Sequence, residues 1–174
     1  DFMLIANETV AEDYFWQDMP FLYRTHENPD PEKMRKLATF INNFGYTLRL
    51  TDDLRPKEIQ KLLSEIEGSD AEKLISRLTL RSMKKAKYTT ECVGHFGLAA
   101  KFYTHFTSPI RRYPDTMVHR LLAMYLDGAD SQNKAYYEDQ CKHASEREVV
   151  AAEAERASTK YKLVEFMQDK VGGE

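Results

Sequence analysis

Apolar residues recur every three or four positions along much of the chain, and this spacing predicts a helix-rich protein. The first such stripe joins Phe2, Ile5, Ala6 and Val10 and predicts a helix over residues 1–17. The stretch from 132 to 170 contains no Gly or Pro and is rich in Ala, Glu, Lys and Arg. It predicts one long C-terminal helix that ends at Gly172-Gly173.

Three further helices are predicted between these two. Asp30 suits an N-cap and Pro31 a first helical position, and Gly45 suits the end of that helix. A second helix is predicted over residues 56–68, and a third begins with a capping box formed by Ser69 and Glu72. The predicted buried positions of the first of these helices are Met34, Leu37, Ala38, Ile41 and Phe44. The third helix continues through Leu74, Ile75 and Leu78.

Three short segments rich in β-branched and aromatic residues predict strands at 21–26, 46–50 and 87–93. The segment GHFGLA at 94–99 follows the last strand, and its two glycines suit a turn or a close backbone approach. The predicted fold class is therefore α+β, with a few short antiparallel strands among many helices and one long C-terminal helix.

Composition supports a packed core, since 42% of the residues are hydrophobic and 30% are charged. No apolar run approaches 18 residues, which predicts no transmembrane helix. The first residues show no signal peptide and open inside a helical pattern without a Met, so we expect a piece of a longer protein. Cys92 and Cys141 lie outside any metal-binding spacing and favour a reducing, cytoplasmic location.

Charge is distributed unevenly along the chain. Residues 77–120 carry nine basic and two acidic side chains, a net charge of +7, although the whole chain has a net charge of −3. This asymmetry indicates either a polyanion-binding surface or a solvated basic face without a partner. If it binds a polyanion, we expect the cations of this segment to line one groove.

The segment TSPIRRYPD, at 107–115, is the strongest candidate for chemistry. Ser108 and Pro109 form a helix-start signal, and the guanidinium groups of Arg111 and Arg112 match phosphate oxygens. Pro114 leaves two possibilities, because it disfavours helical geometry in the residue before it. Either one helix is kinked there, or 108–113 is a tight turn and the main helix begins near Pro114.

A continuous helix would place Arg111, Asp115 and His119 on one face, so that Asp115 holds Arg111. The alternative is a surface helix with an ordinary Arg–Asp pair. Aromatic residues near the motif favour a site for single-stranded nucleic acid, because bases stack on aromatic rings. These residues are Tyr103, Phe106 and Tyr113.

GHFGLA followed by YTHFTSPIRRYPDTMVHRLL resembles the catalytic RNB domain of the ribonuclease II and ribonuclease R family. FMLIANETVAE, PFLYRTHENP, LRSMKKAKY and HASEREVVAAEAERAS resemble the same domain in the same order. The resemblance implies processive 3′→5′ hydrolysis of single-stranded RNA to nucleoside 5′-monophosphates, with Mg²⁺ as the cofactor.

The family's metal-binding aspartate cluster belongs to the N-terminal half of the RNB domain and has no counterpart in this sequence. Asp52-Asp53 stands in a different context and is not assigned to it. The chain therefore resembles the C-terminal half of an RNB domain, without the flanking cold-shock and S1 domains. We expect no metal ligands in residues 1–174, and no nuclease activity from this chain alone.

The resemblance also implies roles for individual residues. Arg111 matches the arginine that contacts the scissile phosphate, and Glu155 matches an acidic residue near the 3′-terminal nucleotide. Asp1 falls where the family has an acidic residue near the bases. Further RNA-binding candidates are Arg112, His105, Tyr103 and Lys101, of which Arg112 is expected to serve binding more than turnover.

Other conspicuous residues are interpreted as structural. His95 is expected to form hydrogen bonds within the fold, and His119 to pair with Asp115. Phe96, Phe102 and Phe106 are expected in the core.

Two other functions remain open, namely a catalytically dead RNB-like module that binds RNA or a protein, and a purely structural helical domain. If the chain is a fragment, apolar residues of its first helix are expected to be exposed and to promote self-association.

Overall fold

The computed structural model describes residues 1–49 and 54–170. In chain order, its elements are α1 (Phe2–Trp16), β1 (Tyr23–Thr25), α2 (Pro31–Asn42), α3 (Pro56–Ile66), α4 (Glu72–Ser82), β2 (Lys87–Thr89), α5 (Tyr113–Leu126) and α6 (Lys134–Met167). Short 3-10 turns occupy Phe96–Leu98 and Gln168–Lys170. These elements confirm the helix-rich α+β class. None of the helices in the described ranges is long and apolar enough to cross a membrane.

Helix α2 begins where its sequence predicts, and it ends at Asn42, three residues before the predicted stop at Gly45. The Asp30 carboxylate accepts hydrogen bonds from the backbone N–H groups of Glu32 and Lys33, which satisfies donors that the first turn leaves free. The chain leaves the helical path at Gly45, whose φ of 80° is the left-handed conformation that glycine adopts readily. Met34, Leu37 and Ile41 are buried, whereas Phe44 is 43% exposed.

The start of α4 differs from the predicted capping box. The Ser69 hydroxyl donates to the carbonyl of Ile66, and the Glu72 carboxylate accepts from the N–H of Gly68. Both side chains therefore close the turn that follows α3, where the local backbone offers a carbonyl and an N–H within reach. Ile75 is fully buried, and Leu74 is largely exposed.

The predicted strand at 46–50 is wrong over residues 46–49, which are irregular, and Leu50 lies outside the described residues. The apolar–polar alternation of this segment comes from one buried side chain, Leu48, which packs with α2 and α3 rather than in a sheet. The predicted end of α6 at Gly172-Gly173 also lies outside the described residues.

Strands β1 and β2 form an antiparallel pair in which Tyr23 faces Thr89 and Thr25 faces Lys87. The N–H of Arg24 donates to the carbonyl of Tyr103, so the segment after β2 returns to the other side of β1. This layout brings the TSPIRRYPD segment next to the sheet.

The GHFGLA segment packs closely against His26. The N–H of Gly97 donates to His26 Nδ1, and a Cβ at Gly97 would lie 2.9 Å from that nitrogen. Gly94 has a φ of 81° and faces the carbonyl of Ala100. The two glycines therefore serve the turn and the close approach that the sequence predicts.

Two hydrophobic clusters stabilise the fold. One joins α1, the strands, α5 and α6, and the other joins α2, α3 and α4 with Phe96. In α1 the buried residues are Asn7, Ala11 and Tyr14. Phe2 and Ile5 of the first apolar stripe are exposed, as the sequence predicts for a fragment, whereas Val10 packs against the first cluster.

Helix α6 is attached to the sheet through its first half. Glu138 Oε2 accepts hydrogen bonds from the Thr89 hydroxyl and from the N–H and hydroxyl of Thr90. The N–H of Tyr88 donates to the Ser145 hydroxyl. Every side chain from 153 to 168 is exposed, so the second half of α6 extends away from these contacts.

Candidate nucleic-acid interface

The arginine pair lies in a tight turn that precedes α5. The carbonyl of Ser108 accepts from the N–H groups of Arg111 and Arg112, and α5 begins at Tyr113 with Pro114 in its first turn. Of the two possibilities that the sequence leaves open, the structure has the separate turn. Pro114 explains this, because it restricts the preceding residue and needs no amide partner in a first turn.

Asp115 anchors the turn from the protein interior. Its side chain is fully buried, and Oδ2 accepts from the backbone N–H of Ser108 and from Nη2 of Arg112, both at 2.8 Å. The expected pairing of Asp115 with Arg111 is therefore wrong. Arg111 precedes the helix, so helical spacing does not bring it to Asp115, whereas Arg112 lies three residues before it at the helix start.

Arg111 and Arg112 border a cleft of about 620 Å³ between the turn and α6. Tyr113 and Pro114 continue the wall on the α5 side, and Tyr88 of β2 also lines the cleft. The opposite wall is one face of α6, on which residues three, four, seven and eight positions apart lie together. Its lining residues are Gln140, His143, Ala144, Arg147, Glu148 and Ala151.

An ion pair beside the cleft joins α6 to the sheet. Arg24 donates to both Glu148 oxygens, at 2.6 and 3.0 Å, and its guanidinium lies 4.5 Å from the centre of the Tyr88 ring. This fork-to-fork geometry holds Glu148 more rigidly than a single contact would. The Glu148 charge is thereby neutralised at the border of the cleft.

His105 and Tyr88 form an uncharged, hydrogen-bonded pair near Arg112 and Arg24. The Tyr88 hydroxyl and His105 Nδ1 are 2.8 Å apart. Burial, together with the positive charges of Arg112 and Arg24, lowers the pKa of His105 to about 3. Burial raises the pKa of Tyr88 to about 12. Both side chains are therefore uncharged at neutral pH and add no charge to the cleft.

The other residues predicted to bind RNA have different surroundings. Tyr103 is buried, and its hydroxyl accepts a hydrogen bond from Asn7 Nδ2, so its ring packs within the fold. Asp1 is exposed at the start of α1. Glu155 is exposed on α6, one helical turn beyond Ala151 of the cleft wall.

Lys101 lines a separate depression with His26, His95 and Arg55. Lys84 forms an ion pair with Glu27. The prediction that the basic segment lines one groove is therefore wrong for these lysines. Lys84 precedes β2, Lys101 follows the GHFGLA turn, and the two arginines lie in the turn before α5. Nearness in sequence therefore does not bring these cations into one cleft.

The two histidines predicted to be structural differ in their contacts. The His95 ring packs edge-on against His26 and Tyr103, but its Nδ1 is buried without a hydrogen-bond partner among the described residues, so the expected side-chain hydrogen bond is not found there. His119 Nε2 bonds the carbonyl of Phe106, and the two rings stack at 4.3 Å. The expected pairing of His119 with Asp115 is wrong, because Asp115 is turned toward Ser108 and Arg112. Burial, with help from neighbouring His26 and Arg24, lowers the pKa of His95 to about 4.

Phe96 is buried in the second hydrophobic cluster, and Phe102 and Phe106 pack against the first. The expected core positions of these three rings are therefore confirmed, with Phe102 and Phe106 only partly buried.

The described residues do not fit a metal site. Across 1–49 and 54–170, no three His, Cys, Asp or Glu side chains are grouped so that they could hold a metal ion. Asp52 and Asp53 lie outside these ranges. Two carboxylates near the cleft, those of Asp115 and Glu148, are each engaged by an arginine.

Sequence reasoning missed the α6 wall and the Arg24–Glu148 pair. A partial signal exists, because Gln140, His143, Arg147 and Ala151 recur at helical spacing. That spacing marks a face but does not say what the face meets, which depends on the contacts between α6 and β2.

The fold and cleft define a helix-rich α+β unit in which guanidinium groups from a turn and from α6 line one cleft. A family model described as the RNB domain matches residues 1–128, and the chain belongs to the RNB family. The ribonuclease R of Aquifex aeolicus is 44% identical over 176 residues, and that of Thermotoga maritima is 42% identical over 183 residues. Each match covers 99% of this chain, which spans about a quarter of the length of these relatives.

Solved structures of Mycoplasma genitalium RNase R have the same fold. The complex with ribose-methylated single-stranded RNA has a TM-score of 0.87 at 28% identity, and the complex with double-stranded RNA has a TM-score of 0.88 at 28% identity. Both matches cover 98% of this chain, and they cover 28% and 32% of those chains. Yeast Ssd1, a pseudonuclease, matches 82% of this chain with a TM-score of 0.72 at 30% identity, over 18% of its own chain.

Proposed function

We propose that this chain forms part of a cytoplasmic, processive exoribonuclease that hydrolyses single-stranded RNA from 3′ to 5′ and releases nucleoside 5′-monophosphates. The observation that carries the proposal is the exposure of the Arg111 guanidinium at the cleft. Arg111 is exposed at the border of the cleft, and the nearest acidic residue of its motif, Asp115, is engaged by Arg112. A guanidinium in this state can bind a phosphate without first breaking an internal ion pair.

The proposed role of Arg111 is to hold the scissile phosphate and to stabilise the negative charge that develops on it. A positioned cation lowers the barrier most when it is fixed before the reaction, since no reorganisation is then required. The hydrogen bonds from the N–H groups of Arg111 and Arg112 to the Ser108 carbonyl, and from the Ser108 N–H to the buried Asp115 carboxylate, provide that rigidity.

Other residues have supporting roles in this proposal. Glu155 contacts the 3′-terminal nucleotide, as its position one turn beyond the cleft wall supports. His105 acts as a neutral neighbour of the arginines, and Lys101 and Asp1 contact RNA away from the cleft. Arg112 and Tyr103 support the site from within the fold, given their contacts with Asp115 and Asn7.

Mg²⁺ dependence is part of the same proposal. The metal would require ligands other than the described residues, so the 174-residue chain is expected to release no mononucleotides by itself.

The test is made in the full-length protein, with Arg111→Ala and Arg111→Lys compared with Arg120→Ala. Arg120 is an exposed arginine on α5 and serves as the matched control. Single-turnover cleavage by Arg111→Ala should slow by on the order of 10²–10³-fold, the scale for one lost transition-state donor. Arg111→Lys should recover little, because an ammonium lacks the two-pronged fork.

RNA affinity should fall much less than the cleavage rate in Arg111→Ala. Equal losses in affinity and rate, or equal effects of Arg111→Ala and Arg120→Ala, would contradict the role of Arg111.

A second function is favoured by one observation, the likeness to the pseudonuclease Ssd1. In that case the cleft binds RNA without cleaving it. The full-length protein would then bind RNA as the exoribonuclease would, but Mg²⁺ would produce no mononucleotides.

A further inference from the structure

We propose that Arg147 is a second phosphate-binding residue of the cleft, and that it holds the RNA backbone from the α6 wall while Arg111 holds it from the turn. This inference rests on the proposed function, because it takes RNA as the ligand. It adds a contact that comes from α6, well beyond the arginine motif in the sequence.

The position of Arg147 is the first argument. Arg147 lines the same cleft as Arg111, and its side chain is exposed. Small side chains flank it one turn away on the same wall, since Ala144 and Ala151 lie three and four residues from it. The small side chains of Ala144 and Ala151 therefore leave room for a ligand beside the Arg147 guanidinium, with His143 on the same wall.

The second argument is the missing counter-ion. Helical side chains pair at three and four residues' separation, and the residues at those distances from Arg147 are His143, Ala144, Val150 and Ala151. None of them is acidic. Lys142 and Lys162, on the same helix, have partners in Asp139 and Glu165. Within the described parts of the chain, no carboxylate forms an ion pair with Arg147.

The third argument is the charge balance of the cleft. Glu148, the acidic residue next to Arg147, is held on both oxygens by Arg24. Asp115 is held by Arg112. The two carboxylates are thus neutralised by two arginines, and the guanidinium groups of Arg111 and Arg147 remain as uncompensated positive charge on the two walls. A nucleic-acid backbone carries one negative charge per nucleotide, so its phosphates can bind cations on both walls of the cleft.

The experiment measures binding of a fluorescent single-stranded RNA to the full-length protein by anisotropy over a range of salt concentrations, with EDTA present to prevent cleavage. Arg147→Ala is compared with Arg156→Ala, which removes the same charge from an exposed position farther along the same helix. Alanine favours a helix at both positions, so both variants should keep the thermal unfolding midpoint of the unsubstituted protein.

Arg147→Ala should weaken binding by on the order of tenfold, the scale of one charge-assisted contact. It should also reduce the salt dependence by about 0.7 in log–log slope, the value for one phosphate of a single strand. Arg147→Lys should keep the slope, because it keeps the charge, but bind a few-fold more weakly, since the fork is lost. Arg156→Ala should change affinity by less than about twofold.

The RNA affinity of Arg111→Ala distinguishes a failure of this inference from a failure of the proposed function. If Arg111→Ala weakens binding and Arg147→Ala behaves as Arg156→Ala does, the role of Arg147 is wrong and the proposed function stands. If the unsubstituted full-length protein binds no RNA, RNA binding in this cleft is wrong, and the role of Arg147 is wrong with it.

Discussion

Arg111 and Arg112 are adjacent and chemically identical, but the turn before α5 gives them different surroundings. Arg112 is partly buried and donates to a carboxylate that has no exposure at all, whereas Arg111 borders the cleft. The other oxygen of Asp115, Oδ1, is buried without a hydrogen-bond partner among the described residues. Arg112 is therefore the side chain that compensates the buried Asp115 carboxylate.

Replacing Arg112 with Ala should destabilise the fold. The expected loss is about 3 kcal/mol in the free energy of unfolding, the scale for leaving one charge of a buried pair uncompensated. Arg111→Ala, at the neighbouring exposed position, should change it by less than about 0.5 kcal/mol. Urea denaturation of the two variants measures both values. Similar stabilities for the two would show that Asp115 does not need Arg112, and Arg112 would then return to the purely RNA-binding role expected from the sequence.

At the scale of elements, the docking of α6 on β2 forms the cleft. One oxygen of Glu138 collects three hydrogen bonds from Thr89 and Thr90, and these bonds lower the pKa of Glu138 despite the opposing effect of burial. Farther along α6, Ser145 and Glu148 add contacts to Tyr88 and Arg24. The α6 wall is therefore positioned by polar contacts spread over about three helical turns.

Replacing Glu138 with Ala should loosen this docking. We expect a loss of about 1–3 kcal/mol in the free energy of unfolding, because the N–H of Thr90 loses its partner in a half-buried site. Glu146→Ala, an exposed change of the same kind on the same helix, is the control and should cost less than about 0.5 kcal/mol. Thermal and urea unfolding measure the difference. Equal stabilities would show that the apolar contacts of Cys141 and its neighbours suffice to hold α6.

The sequence predicts elements best where their signals are local. The N-cap Asp30, the first-turn Pro31 and the terminal Gly45 act within a few residues of their own positions, and the structure confirms α2. The capping box at Ser69 fails because two neighbouring groups, the carbonyl of Ile66 and the N–H of Gly68, compete for the same side chains.

The candidate site is less predictable, because its parts meet through tertiary contacts. The motif locates Arg111, but the partner of Asp115 depends on whether a helix begins before or after residue 112. Arg147 and Arg24 enter the site only after α6 packs on the sheet. No spacing in the sequence encodes that packing.

At the scale of the whole molecule, apolar side chains remain exposed at both ends of the described chain. Phe2 is 91% exposed, and Ile5 is 58% exposed on the same helix. The end of α6 exposes a second group, made of Tyr161, Leu163, Val164, Phe166 and Met167. Exposed apolar surface of this kind favours association.

The 174-residue chain should therefore self-associate at high concentration. Replacing Phe2 and Ile5 with Ser should weaken this association, because it removes apolar area that a contact would bury. Leu126→Ser, at an exposed position on another helix, is the control. Sedimentation velocity between about 10 and 500 µM measures the change. A monomer throughout this range, or equal effects of the two variants, would contradict the expectation.

The two halves of α6 also form a lever. The helix is continuous from Lys134 to Met167, so the segment that carries Arg147 and the segment that projects beyond Glu153 move as one rod. The distance from Ala151 to Met167 is about 24 Å along the axis. A tilt of about 5° at the cleft wall therefore displaces the far end by about 2 Å. Conversely, any load applied to the projecting half exerts a torque on the Glu138 and Glu148 contacts, and so changes the width of the cleft.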